Sequence, residues 1–238
     1  MRCGCNCCRV RVVCGRFAST TPPDKLAAYF GAEALVDVDD VEPDYNVAPT
    51  RDVPVIRVRE DARHLDYLRW GLVPRWAKDL RIGSKMINAR AETIATKNSY
   101  RSAFARRRCL VAADGFYEWK RLDPKTKQPM FISRQDGDPL AFAGLYERWT
   151  DAENLREIHT CTIITTTPNA TMERIHDRMP VLLAPKHWEE WLDPANADTP
   201  GLQQLLVPAP EGLLAAYPVS DQVNNVRNNE PALIEPLP

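Results

Sequence analysis

Three kinds of side chain in this chain can act on a covalent bond: thiols, imidazoles and a carboxylate set among aromatic residues. Of seven cysteines, Cys3, Cys5, Cys7 and Cys8 crowd the first eight residues, and only Cys14, Cys109 and Cys161 sit in ordinary sequence. An odd, lopsided count reads as reduced thiols and not as a disulfide framework. The Cys-x-Cys-x-Cys-Cys run could bind a soft metal, but it reads better as a terminal oddity. Cys109 and Cys161 have no second cysteine nearby. The four histidines, His64, His159, His176 and His187, form no ligand array, so no metal is expected. Cys14 paired with His176 would have the logic of covalent acyl transfer, nucleophile beside base. Glu118, flanked by Phe116, Tyr117 and Trp119, could have the raised pKa a general acid needs. On the residues alone, a strand-edge Glu in a structural salt bridge is the favoured reading.

Short elements joined by stiff turns must position these groups, because proline is abundant (20) and glycine scarce (10). The stretch 19–24 carries helix-start chemistry, with Leu26, Tyr29 and Phe30 at helical spacing until Gly31 stops it. Alternation predicts a hairpin from Val53–Arg59 and His64–Trp70, followed by a loop over 71–76 with Trp76 at its tip. A helix is expected over 98–105 and a buried strand over 109–113, running into Asp114-Gly115. The strand after it places Phe116, Glu118 and Lys120 on one face and Tyr117 and Trp119 on the other. Further strands are expected over 130–134, 140–149 and 159–166. A short helix opens at Thr167-Pro168 and ends near Ile175-His176; another opens at Pro185 with Trp188, Trp191 and Leu192 facing inward. The fold class is therefore α+β, a mostly antiparallel, barrel-like sheet with short peripheral helices.

Composition excludes several functions. There is no G-x-G-x-x-G after a strand and no G-x-x-x-x-G-K-[ST], so neither a nucleotide nor any other cofactor is expected. No apolar run approaches the roughly 20 residues that span a bilayer, and the first twenty lack a signal-peptide core, which sets the expectation at a cytoplasmic protein without membrane contact. A formal net charge of −1 gives nucleic acid no support from the total. Local clusters do exist: Arg101, Arg106, Arg107 and Arg108 on one side, Asp37, Asp39, Asp40, Glu42 and Asp44 on the other. The arginines read either as a basic patch or as a solvated helix face whose stems cover the core.

Four segments stand in a specific order: Cys14-Gly15-Arg16-Phe17, Asn88-Ala89-Arg90-Ala91-Glu92-Thr93, Asp114-Gly115-Phe116-Tyr117-Glu118-Trp119-Lys120 and Ile175-His176-Asp177-Arg178-Met179-Pro180. Together they resemble the SRAP family of abasic-site processing proteins. The segments 45–49, 70–74 and 225–228 are also similar to the family, so the resemblance runs from residue 14 to about the C-terminus. It implies covalent capture of abasic sites in single-stranded DNA during the response to DNA damage, and a bacterial, nucleoid-associated protein when bound. The ring-opened lesion is an aldehyde. An N-terminal cysteine offers an amine that forms an imine and a thiol that then closes a thiazolidine. By similarity, Glu118 and His176 move the protons and Asn88 hydrogen-bonds the lesion or the Cys14 terminus. Arg16, Arg90 and Arg178 would grip phosphates, with Asn46 also counted on the DNA-binding side. Trp76 and Trp119 would stack on neighbouring bases, or serve as core aromatics. Taken alone, His176 is more often a helix-end histidine bonded to a backbone carbonyl than a catalyst.

One departure from the family pattern matters. Family members begin Met-Cys-Gly-Arg-Phe, whereas here thirteen residues precede Cys14 and Val13 stands in the methionine's place. We expect residues 1–13 to be a non-native or removed extension, through a start assigned too far upstream or through self-cleavage, and 14–238 to form one domain. Dropping residues 1–12 removes Arg2, Arg9 and Arg11 and takes the formal charge from −1 to −4. Two other functions remain open on the residues alone: a cysteine autopeptidase or thiol hydrolase using Cys14 and His176, and a non-enzymatic DNA-binding module. A monomer suffices for any of them.

Overall fold

The structure, a computed structural model, describes residues 14–35, 41–153 and 155–238. The cysteine run at 3–8 and the acidic residues 37, 39 and 40 lie outside them. In chain order the elements are β1 (Phe17–Ser19), α1 (Pro23–Phe30), β2 (Glu33–Ala34), β3 (Asp44–Val47), β4 (Asp52–Arg59), β5 (Ala62–Trp70), β6 (Asn88–Arg90), α2 (Arg101–Arg106), β7 (Arg108–Ala113), β8 (Gly115–Arg121) and β9 (Lys127–Arg134). They continue with β10 (Leu140–Thr150), β11 (Glu157–Thr166), α3 (Ala170–Glu173), β12 (Met179–Pro180), α4 (Trp188–Leu192), α5 (Thr199–Gln204) and β13 (Leu214–Pro218).

The expected hairpin forms from β4 and β5, turning at Glu60 and Asp61 with φ of 48° and 63°. Two successive left-handed residues match the natural twist of paired strands. From this hairpin the sheet runs β5–β4–β7–β10–β11 through antiparallel pairs, and β11 then pairs in parallel with β5, joining Thr160 to Arg69 and Cys161 to Trp70. The strands thus close into a five-membered ring, the barrel that the alternating segments imply. The parallel contacts, β11 with β5 and β6 and β2 with β5, are the mixed component.

Strand alternation gives this sheet two apolar faces. On one, Ile56, Leu65, Leu110, Ala143 and Ile164 pack against Leu26 and Phe30 of α1, Phe104 of α2 and Trp188 and Trp191 of α4. On the other, Val55, Trp70, Cys109, Val111, Phe142 and Ile163 meet residues of a second, wholly antiparallel sheet ordered β13–β9–β8–β1–β3. The two sheets join where β7 passes into β8. Gly115 is required there, since a Cβ would lie 2.3 Å from the Phe131 ring. Asp114 fixes the crossing by accepting from the main-chain N–H and hydroxyl of both Thr20 and Thr21.

The helices are shorter than the sequence suggests. The helix expected from residue 98 begins at Arg101, and the one expected from Thr167 begins at Ala170, capped by the Asn169 side chain on the Met172 N–H at 3.0 Å. The arginine cluster is divided. Arg108 is buried and donates to the carbonyls of Phe104, Ala105, Trp191, Asp193 and Asn196, while Arg107 pairs with Glu147 at 2.9 Å. These two are structural, and Arg101 and Arg106 remain on the exposed face of α2. Among the described residues, no helix is long and apolar enough to cross a membrane.

Candidate active site

Cys14 lies just ahead of β1, and β1 pairs with β8 so that Phe17 faces Phe116. This register, with the Tyr117 N–H bonded to the Arg16 carbonyl at 2.9 Å, carries Cys14 to Glu118. The Cys14 main-chain nitrogen donates to Glu118 Oε1 at 2.6 Å in a buried contact. Glu118 pairs with Met130 of β9 and is 3% exposed. Burial pushes its carboxyl up to about 8, against the pull of the N–H groups of Cys14 and Trp119; Asp177 adds to the rise and Lys127 opposes it. The Cys14 thiol is pushed well above its ordinary value by burial and by Glu118. Its backbone has a φ of 46°, a left-handed conformation that costs a residue with a Cβ about 1–2 kcal/mol.

The segment after α3 reaches the same place. Met172, Ile175 and Met179 pack in the cluster that contains Cys14, and Asp177 is close enough to Glu118 to disfavour its ionisation. His176 Nδ1 lies 3.0 Å from Asp177 Oδ1 and accepts from the Arg178 main-chain N–H at 3.2 Å. These two contacts make opposite demands: a protonated Nδ1 donates to Asp177, and an unprotonated one accepts from Arg178. The ring is therefore held in orientation in both protonation states.

β6 hangs on β11 in parallel, with Asn88 opposite Ile163 and Arg90 opposite Thr165. Ile87, immediately before Asn88, is in the Cys14 cluster, and Tyr100 bonds the Asn88 carbonyl at 3.1 Å. Asn88 is half-buried and Arg90 exposed. Arg178 donates to the Thr165 carbonyl at 2.6 Å and forms a two-pronged ion pair with Glu92, whose second contact is 3.0 Å. Glu92 belongs to the Asn88–Thr93 segment, 86 positions from its partner in sequence.

The remaining residues flank this centre. Arg16 donates to Asn46 Oδ1 at 2.6 Å and to the Val223 carbonyl at 2.8 Å, and its guanidinium carbon is 6.0 Å from the centre of the Trp119 ring. Asn46 is buried and spends its amide on the carbonyls of Val223, Asn225 and Asn228, anchoring the C-terminal segment behind Arg16. Trp119 is half-buried, with its indole N–H on Asn224 Oδ1 at 2.7 Å. Trp76 is 62% exposed on its loop. The structure thus gathers the Cys14, Glu118, Asn88 and His176 segments around one apolar cluster, sets Arg16 and Trp119 on one flank and Arg90 and Arg178 on another, and puts Asn46 in support of Arg16. Among the described residues no group of three or more His, Cys, Asp or Glu could hold a metal ion.

The description SOS response associated peptidase (SRAP) matches residues 13–226. The abasic site processing protein YoqW of Bacillus subtilis is 48% identical over 94% of this chain and 99% of its own length. YedK of Escherichia coli, also an abasic site processing protein, is 33% identical over 94% of this chain and all of its own. A crystal structure of a protein from Bacteroides thetaiotaomicron superposes with a TM-score of 0.85 at 27% identity, covering 94% of this chain and all of the other. With a family match across nearly the whole chain and relatives of this identity and coverage, the chain belongs to the SOS response associated peptidase (SRAP) family.

Proposed function

We propose that this protein processes abasic sites by capturing the lesion's aldehyde in single-stranded DNA on Cys14, acting as the first residue of the mature chain. The observation that carries this reading is the 2.6 Å contact between the Cys14 nitrogen and Glu118, a buried carboxyl that keeps its proton to about pH 8. With the chain begun at Cys14, that nitrogen is an α-amine with an ordinary pKa of about 7.7–8.0. It adds to the aldehyde carbon, the resulting carbinolamine loses water when Glu118 donates its proton to the departing hydroxyl, and the iminium so formed returns its N–H proton to the Glu118 carboxylate to leave the imine. The thiol then adds across the imine, closing a five-membered thiazolidine while the thiol proton passes to nitrogen. His176, held by Asp177 and the Arg178 N–H, moves protons at the sugar oxygen during ring opening. Arg16 and Arg90 meet flanking phosphates, and Trp119 and Trp76 offer faces to neighbouring bases.

Backbone strain supports a mature chain that starts here, because a first residue has no φ to strain. A peptidase reading draws less support, since attack on an amide needs a thiolate, which burial of Cys14 disfavours, whereas the imine takes up the thiol together with its proton. The test is an intact mass of the mature protein mixed with a single-stranded oligonucleotide carrying one abasic site. A one-to-one adduct that survives heating is expected, absent in Cys14→Ala; no adduct from the wild-type chain overturns the proposal.

A further inference from the structure

Arg178 and Glu92 form an ion pair whose geometry is that of a guanidinium holding a phosphate. The carboxylate meets both terminal nitrogens of Arg178, the fork-to-fork arrangement that guanidinium groups also use with phosphate oxygens. The two partners are unequally placed. The Arg178 side chain is 13% exposed and tied to β11 through the Thr165 carbonyl, whereas Glu92 is 47% exposed. The anion therefore covers the accessible edge of a cation that the sheet holds in place. The pair also lies within the site: His176 is two residues before Arg178, and Arg90 pairs across the sheet with the same Thr165.

We propose that Glu92 is an internal stand-in for a backbone phosphate: it neutralises Arg178 in the free protein and yields that guanidinium only to a strand whose phosphate replaces it. The proposal rests on the single-stranded DNA reading above. It makes Glu92 a determinant of strand affinity. Arg178 offers no unpaired charge to stray anions, and the binding that is gained depends on a phosphate delivered at the right place. Thr165 keeps the guanidinium aimed while the anions exchange.

The measurement is reversible binding of an oligonucleotide containing a tetrahydrofuran abasic analogue, which has no aldehyde, followed from 50 to 200 mM salt. Glu92→Gln should bind more tightly at the low end, and its plot of log affinity against log salt should be steeper by up to about 0.7, the value for one phosphate neutralised on a single strand. Its advantage over wild type should shrink about 2.5-fold across that range. Glu92→Asp, which keeps the charge, should follow the wild-type slope, and the Gln effect should vanish in an Arg178→Gln background. Weaker binding by Glu92→Gln at an unchanged slope would make Glu92 a mere brace, and a Gln effect that persists without Arg178 would make it a general charge effect; either overturns the proposal. Should Glu92→Gln fail to fold, an Asp variant with an altered slope overturns it as well. Failure of the underlying reading looks different, because wild-type protein then forms no adduct with a true abasic strand.

Discussion

At the scale of single residues, the proposed reaction turns on one proton shared between Glu118 and the Cys14 nitrogen. Capture as proposed needs a neutral amine and a protonated acid together; burial favours the protonated form of Glu118, and the two groups titrate as a coupled pair whose productive state is the singly protonated one. The capture rate should therefore trace a bell against pH with its maximum near 8, and Glu118→Gln should lower the peak and lose the alkaline limb; an unchanged profile would remove Glu118 from the chemistry. The same carboxyl weighs on stability. The unfolded chain ionises it near 4.5, whereas the folded protein holds the proton to about 8. Between those values the unfolded state binds fewer protons, so this group's contribution falls as pH rises through the window. Thermal melts should show Glu118→Gln gaining on wild type from pH 4.5 to 8, by on the order of a few kcal/mol at the upper end. These residues could be picked out from the sequence because their motifs are contiguous. Their partners could not: Glu92 and Arg178 are 86 positions apart, and only the sheet brings them together.

At the scale of elements, long alternating strands were legible and short ones were not. β4, β5, β7, β8, β10 and β11 each carry enough alternating or continuous apolar residues to declare themselves, and all of them except β8, which belongs to the second sheet, build the ring. β6 has three residues and β13 five, so neither shows a period, and β6 exists because β11 offers it an edge. The arginine cluster shows the limit of reading charge from a line of letters. Arg108 fills the gap between the ends of α2 and α4, satisfying carbonyls that neither helix can satisfy itself. Replacing it with Leu should strand those carbonyls and cost on the order of 3 kcal/mol by chemical denaturation. The salt dependence of DNA binding should stay put in that variant; a flatter slope would return Arg108 to the DNA-contacting set. The Trp76 loop depends on a different device. Gly71, at a φ of 127°, and Gly83 approach so closely that a Cβ on either would sit within 2.6 Å of the other's carbonyl oxygen.

At the scale of the whole molecule, net charge tells little about the partner, because the proposed contacts depend on a few arginines held in place and not on an overall field. The molecule is instead organised around β11. β10 and β5 flank it, β6 and β12 pair along its later half, and Arg178 reaches back to its Thr165. Asn88 and Arg90, and Arg178 far from them in sequence, take their positions from this one strand. The parallel seam between β11 and β5 means that the ring has no free end from which to peel. A chain cut once in the connection between β10 and β11 should consequently behave as a split protein, its two halves holding each other through the seam and still assembling one working site. Co-expressed fragments divided there would make a conditional version of the protein, assembled only when both pieces are supplied.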